Sequence, residues 1–571
     1  MKRQILTFVI LILSATAFFS QTPTPTPTGE DVQKVAPEDL RGVPPIAEKY
    51  RSDERALPDL GRVGVDMLDQ RPLTLAETLE LALQNNRDIE VARKTITSAE
   101  WDLRSTRGLY QPRFTAQTAY EHTTTPNVSI FSNNQKTNQG SFIANAAVSA
   151  SLPNWGTQLS ANFNNSRLTT DNPISILSPQ YQSSLGFSLV QPLFRGRSFD
   201  VARRGIEIAK KNISLTDTQF RQRSIETVAA VEKAYWDLTF ALRNLQVQRE
   251  SLRDAKSQLE HNRRLVDEGQ LAPIDIVAAE TQVANFEQAV YEALNNVNLA
   301  ENGLKLLISP NRNDRIWNQA ITPVDSVEVE VPTPTLTEAM DAATQNRAEL
   351  AINKTQKEIN LIDQKLYKDQ KKPQIDLTAG YSSNGIGGSQ NPDFSPTFPT
   401  ACTTAPTSPA CAQQQANLAL LTGSPFRGVF TNRYPTYRVG VNINLPLFGD
   451  KTAEAQLGKA RVDAERIDTQ REQIEQAIQV EVRNALQAIR TSEARLRAAA
   501  VARENSGRQY ESEQRKLDAG QSDVYKVLER QTAYTAARSA ELRARTELNK
   551  AIAEYERATG TTLKANNVEV K

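Results

Sequence analysis

Proline is missing from five long stretches of this chain, and no other feature limits its folding so strongly. There is none between Leu73 and Gln111, Leu193 and Ala272, Ile274 and Ser309, Leu336 and Lys372, or after Pro446. An internal proline removes a helix hydrogen bond and clashes with the preceding turn, at a cost of about 3 kcal/mol. Stretches that exclude it over such lengths are free to be helical, and these are rich in Ala, Glu, Gln, Lys, Arg and Leu, the strong helix formers. The intervening segments 112–192 and 373–446 are rich instead in Thr, Ser, Asn, Gly and Pro. The predicted order is helix, strand-rich segment, long helix, helix, and then the same series again.

The second series copies the first. Thr74-Leu75, Glu77, Gln84-Asn85, Pro112 and Tyr120 recur as Thr335-Leu336, Glu338, Gln345-Asn346, Pro373 and Tyr381, at one offset of 261. Farther on, Gly186 and Pro192-Leu193-Phe194 recur as Gly440 and Pro446-Leu447-Phe448, and Asp267, Gly269-Gln270 and Thr281 recur as Asp518, Gly520-Gln521 and Thr532. A period of this length is too great for a solenoid and predicts a duplicated unit. The first unit spans 73–310 with strand region 112–192, and the second spans 335–571 with strand region 373–446. A linker at 311–334 joins them and holds the alternating run Val324-Asp-Ser-Val-Glu-Val-Glu-Val.

Lys2 and Arg3 precede the apolar stretch Ile5 to Leu13, and Ala15-Thr16-Ala17 follows, the pattern of a secretory signal over 1–17. Residues 18–72, with a Thr-Pro repeat and scattered charges, read as a low-complexity tail. Farther along, no run of 18 or more apolar residues appears, so membrane-spanning helices are not expected and a soluble, fibrous or β-barrel protein remains. The 67 basic and 66 acidic side chains leave a net charge of +1, which gives no electrostatic reason to expect nucleic acid as a partner.

In the first long helix Val231, Leu238, Leu245, Leu252, Leu259 and Val266 repeat every seven residues. The companion positions Val228, Tyr235 and Leu242 give way to Arg249, Lys256 and Arg263, so half of the seam is polar. The second copy repeats the series as Val482, Ile489, Leu496, Arg503, Tyr510 and Leu517. This fits a wide assembly with a watery interior better than a two-stranded coiled coil. At 1.5 Å per residue, 198–266 and 451–517 each reach about 100 Å, and 73–110, 273–308, 335–370 and 522–559 each reach roughly 55 Å. Two short helices end to end match one long one, giving a wall four helical columns wide per chain. A wall without a globular core also explains an apolar content of 39% and an aromatic content of 6%.

In the strand-rich segments Ile375, Leu377, Ala379 and Tyr381 alternate with polar residues, as do Tyr437, Val439, Val441, Ile443 and Leu445. Phe114, Ala116, Thr118 and Tyr120, and Leu185, Phe187 and Leu189, show the same pattern in the first copy. One apolar and one wet face suit a barrel with lipid outside and water inside, and a soluble sandwich has the same alternation. An additional hairpin is predicted at 141–164, around Pro153-Asn154-Trp155-Gly156. The second copy instead has an insertion from Ser382 to Thr436, in which Cys402 and Cys411 form a disulfide in an oxidising compartment or stay free.

Together these pieces resemble the TolC-like outer-membrane efflux protein family over residues 73–560. The resemblance is carried by Leu75-Ala-Glu-Thr-Leu-Glu-Leu-Ala-Leu-Gln-Asn-Asn, by Gln191-Pro-Leu-Phe-Arg-Gly and Leu445-Pro-Leu-Phe-Gly-Asp, and by the turns Glu268-Gly269-Gln270-Leu271 and Ala519-Gly520-Gln521-Ser522. It implies an α+β membrane protein. A long-helix α-barrel, the periplasmic tunnel, joins a transmembrane β-barrel of 12 strands made by a homotrimer in outer-membrane lipid. It further implies that Gly269, Gln270, Leu271, Gly520, Gln521 and Ser522 form tips that dock a periplasmic adaptor protein, and through it an inner-membrane pump. Asp275 matches one of the aspartates that family members carry at the tunnel entrance. Lys526 stands where an aspartate is frequent, and Glu529 keeps a carboxylate. The hairpin at 141–164 departs from four strands per chain.

No chemistry of its own is expected of such a duct. His122 and His261 lie in different element types with no spacing for a metal site or a triad. No phosphate-cradling glycine loop precedes a helix. Catalytic, cofactor and metal residues are thus read as none. The competing reading is a secreted or surface-anchored coiled-coil structural protein with soluble β domains.

Overall fold

The structure is a computed structural model that describes residues 61–126, 135–327, 331–394, 401–445 and 450–568. The signal segment, the tail as far as residue 60 and Pro446-Leu447-Phe448-Gly449 lie outside the described residues. In chain order the first unit comprises strand β1 (Asp66–Leu73), helices α1 (Leu75–Asn85) and α2 (Arg87–Arg107), strands β2 (Arg113–Pro126), β3 (Lys136–Ser151), β4 (Gln158–Thr170) and β5 (Leu177–Pro192), and helices α3 (Val201–Asp267) and α4 (Pro273–Ile308). After strand β6 (Gln319–Pro323) the second unit has helices α5 (Leu336–Asn346) and α6 (Ala348–Gln370), strand β7 (Gln374–Gln390), helices α7 (Pro409–Leu421) and α8 (Pro425–Phe430), strand β8 (Tyr434–Asn444), and helices α9 (Lys451–Asp518) and α10 (Val524–Thr559).

The repeated Thr-Leu-x-Glu motif is a helix start. Thr74 accepts the Glu77 N–H while the Glu77 carboxylate accepts the Thr74 N–H, and Thr335 and Glu338 do the same. Such a capping box satisfies two donors that a helix N-terminus leaves unpaired. Two of the four predicted short helices, 73–110 and 335–370, are broken once, at Asn86 and at Arg347, which occupy equivalent positions of the two units and share extended backbone (ψ 129° and 122°). The Asn86 side chain caps α2 by accepting from the Asp88 and Ile89 N–H groups.

The helices form four columns. Along the first half of α3 runs α2, where Arg93 lies over the Phe220 ring and Thr106 meets Gly205. Along the second half runs α4, joined by Arg263–Glu280 at 2.8 Å. The opposite flank of α3 takes α6 through Arg204–Asp363 and Lys211–Glu358, and α10 through Lys550–Asp237 and Arg538–Glu250. Beyond these lies α9, held by Lys357–Asp468 and Arg503–Glu541. The heptad positions Val231, Leu238, Leu245 and Leu259 are buried, while Arg249, Lys256 and Arg263 are exposed.

The main core sits midway along α3, where α1 and the C-terminal end of α4 meet. Val228, Val231, Tyr235 and Leu238 pack there against Leu79, Ala82, Val297, Leu304, Ile308 and Ile321. The second unit buries a smaller set, Ala339, Ala343, Ile478, Val482, Ala485 and Ala558.

One expectation needs correction. Part of the predicted tail is folded: β1 pairs in parallel with β6, a strand of the linker. The pairing partners lie some 250 residues apart in sequence, so no local pattern announced them. The sheet has six strands in the order β2-β3-β4-β5-β7-β8, the four that the resemblance implies together with the predicted hairpin. β3 and β4 are the predicted hairpin, lengthened at both ends. Within the second copy, β7 runs through Gln390 and so takes nine residues from the predicted insertion.

Candidate functional site at the helix tips and the strand wall

Both long helices end in the same way. Gly269 and Gly520 have φ of +70° and +68°, a left-handed conformation that costs glycine nothing. Gln270 N–H then bonds back to the Leu265 carbonyl (2.8 Å) and Gly269 N–H to Val266 (2.9 Å). Gln521 and Gly520 do the same to Lys516 (2.8 Å) and Leu517 (2.9 Å). These paired bonds satisfy the helix's last carbonyls and turn the chain sharply.

The two tips are joined. Leu271 and Ala278 of the first pack against Leu517, Val524, Val527 and Leu528 of the second, and His261 Nε2 lies 3.5 Å from Asp518 Oδ1. Gly269, Gln270, Gly520 and Gln521 remain exposed, while Leu271 and Ser522 are half-buried. Ser522 donates a short hydrogen bond to the Glu513 carboxylate, which this bond holds below its usual range.

Of the three residues expected at an entrance, Asp275 and Lys526 have local partners. Asp275 accepts the Ala272 N–H at 3.2 Å and so caps the start of α4. Asp523 caps α10 through the Lys526 N–H (2.9 Å), and Lys526 Nζ pairs with the Asp523 carboxylate at 2.9 Å. That pairing holds Asp523 down and Lys526 up from their usual values. Glu529 is exposed. Asp523 escaped the sequence reading, although an aspartate just before an apolar helical run is a start signal. Among the described residues no group of three or more metal-ligating side chains is gathered, and no helix is long and apolar enough to cross a membrane.

At the other end of the chain the register aligns side chains in rows across all six strands. Phe114, Val148, Ala161, Phe187, Tyr381 and Tyr437 are successive cross-strand partners. The next row, on the opposite face, is Thr115, Ala147, Asn162, Gly186, Ser382 and Thr436. Apolar and polar rows thus alternate between two faces of one continuous wall. Sheet and helices meet at Gly196, whose N–H donates to buried Asp369 (2.6 Å), as does the Ser198 hydroxyl (3.0 Å). A disulfide joins Cys402 and Cys411. Among the described residues, the edge strands β2 and β8 have no partner on their outer sides.

A family model described as outer membrane efflux protein matches residues 144–309 and 342–561, one segment in each unit. Among solved structures the chain is similar to the outer-membrane channel OprN, at 15% identity and a TM-score of 0.59 over 85% of this chain and 90% of that one. It is similar to the Campylobacter jejuni CmeC outer membrane channel at 16% identity, with a TM-score of 0.59 over 87% and 90%. The open state of the Neisseria gonorrhoeae MtrE outer membrane channel gives 16% identity and a TM-score of 0.58 over 86% and 89%. At these identities the likeness speaks for the fold. No curated protein matches the sequence.

Proposed function

The chain belongs to the outer membrane efflux protein family, and from that premise we propose that three copies form a passive duct through which solutes leave across the outer membrane. The sheets close edge to edge, β8 of one copy on β2 of the next, and the helical columns close into a tunnel in the periplasm. Closure satisfies the open backbone edges, which lipid would not tolerate. The exposed tips around Gly269 and Gly520 dock a periplasmic adaptor linked to an inner-membrane pump, as the exit stage of a tripartite efflux or type I secretion system. Signal 1–17 directs the chain there, and residues 73–310 and 335–571 act as its two repeats.

The observation that supports this most directly is the strand wall. Its apolar rows remain exposed in the single chain, with Phe114 69%, Phe187 51% and Tyr437 72% accessible. A soluble domain would cover such a face against a second layer. Cell fractionation tests the reading: a detergent-extracted, heat-modifiable outer-membrane trimer is expected. A mature protein that is soluble and monomeric without detergent overturns it and favours the coiled-coil structural alternative.

A further inference from the structure

The internal repeat identifies which strands are additional. Proline and tyrosine markers align β2 with β7, and Gly186 with Gly440 aligns β5 with β8. β3 and β4 therefore stand between the repeated pair of the first unit. They are not a flap beside the sheet. Each is hydrogen-bonded on both sides, and the rows of side chains cross them without a change of face.

The insertion between β7 and β8 lies on the apolar face, at the end of the sheet remote from the long helices. The Ser383 hydroxyl donates to the Val429 carbonyl (2.7 Å), and Phe163 stacks on Phe426 with ring centres 6.0 Å apart. Helix α8 thus leaves the polar face of β7 uncovered.

We propose that three copies close into a barrel of eighteen strands, so that the β3–β4 hairpin widens the membrane pore beyond the twelve-stranded barrel that the resemblance implies. The inference rests on the trimeric duct reading. Width supports it. At strand spacings near 4.8 Å and a tilt of about 40°, six strands occupy about 38 Å of circumference and four occupy about 25 Å. Four helical columns spaced 8–10 Å apart occupy about 32–40 Å. Six strands thus come close to the width of the helical wall of the same chain. The barrel reaches a backbone diameter of about 36 Å on the same spacing and tilt. Its polar rows, with Asn162, Asn164, Ser184 and Ser382, offer amides and hydroxyls to bulky polar solutes.

The full-length protein in lipid nanodiscs tests this by cryo-electron microscopy, with a trimer of eighteen wall strands expected. A trimer with twelve wall strands overturns the wide barrel and leaves the duct reading intact, whereas a dimer or monomer overturns the trimer and with it the inference. Single-cysteine variants give a second measurement on adjacent β3 positions of opposite face. In the membrane-inserted protein Ser149→Cys is expected to react with a charged maleimide. Val148→Cys is expected to lose that labelling, and a fluorophore there to be quenched by a probe dissolved in the bilayer. Any other pattern, equal labelling included, removes the hairpin from the barrel wall and overturns the proposal.

Discussion

Gly269 and Gly520 hold the same left-handed backbone at the ends of the two long helices, and an added Cβ at either position would meet nothing within 4 Å. Substitution there is opposed by backbone conformation alone, at about 1–2 kcal/mol per site for an L-residue. A β-branched residue is the worst fit. The double variant Gly269→Val and Gly520→Val is expected to distort both turns while trimers still assemble. If these turns are the docking tips, site-specific cross-linking to the adaptor falls and export falls with it. Unchanged cross-linking in assembled trimers would remove the tips from the docking surface.

Glu301 is the ion on which the linker's attachment depends. Fully buried, it accepts from Arg62 (2.8 Å) and from the Ile321 N–H of β6 (2.8 Å), and lies 3.4 Å from Lys305, which is buried too and donates to the Trp317 carbonyl (3.0 Å). Burial pulls the Lys305 ammonium down, opposed by the Glu301 charge. Glu301→Ala strands two cations with buried side chains, Lys305 and Arg62, and frees a strand N–H. Breaking a buried pair in this way costs about 3–5 kcal/mol. Glu301→Ala with Lys305→Met is expected to recover part of the loss, because one of the two stranded cations is removed and only Arg62 remains without its carboxylate. Thermal unfolding of the two variants checks this, and equal loss in both would mean that the ion pair is not the cause.

Much of this architecture was legible in proline spacing, because proline excludes helix whatever the tertiary context. The predicted ends of α3, α4, α9 and α10 agree with the structure to within a few residues. The breaks at Asn86 and Arg347 were not legible, since neither proline nor glycine marks them. Asn86 uses its side chain as a cap, whereas Arg347 caps nothing and instead reaches Glu481 (3.0 Å) and Glu349 (3.0 Å). Strand alternation gave the faces but not the neighbours. That Phe114 and Tyr437 share one row depends on five registers, of which that of β5 with β7 joins segments about 200 residues apart. At the tips, the glycine turns could be read directly, but the roles of Asp275 and Lys526 could not. Periodicity places a side chain on a helix face and is silent about which backbone group or counter-ion it meets there.

Glu232 and Glu556 give the helical wall a dependence on pH. Glu232 is buried, with one oxygen accepting from Asn566 Nδ2 (2.5 Å) and the other unpartnered. Burial pushes its carboxyl up to about 7, and burial together with the Glu232 charge pushes Glu556 up to about 7. An acid whose folded value lies above its unfolded value binds protons more tightly when folded. Its stabilisation is full below the ordinary value of 4.5 and is lost as pH rises through about 7. Glu338 and Glu554, held down by their partners, contribute in the opposite sense and lose their stabilisation on acidification. The difference between wild type and Glu232→Gln isolates the pair. The variant's relative Tm is expected to climb between acidic and mildly alkaline pH, and a flat difference curve would show that the pair does not titrate in this range.

Gly385 decides whether the insertion can lie on the sheet. A Cβ there would stand 1.9 Å from the Pro425 carbonyl oxygen and 3.0 Å from the Val429 nitrogen, both backbone atoms that cannot step aside as a flexible side chain can. Gly428 approaches from the other side, its own Cβ position falling 2.9 Å from the Gly385 Cα. Gly385→Val is therefore expected to lift α8 from β7. That would break the Ser383–Val429 hydrogen bond and separate the Phe163 and Phe426 rings while the strand ladder persists. Because α8 lies on the apolar face, its release leaves the polar face as it was. Limited proteolysis in the folded, membrane-inserted trimer should then cut within residues 401–433 faster than in wild type, with single-channel conductance unchanged. Faster cleavage accompanied by a larger conductance would mean that the insertion had been obstructing the lumen, and would reverse the assignment of the two faces.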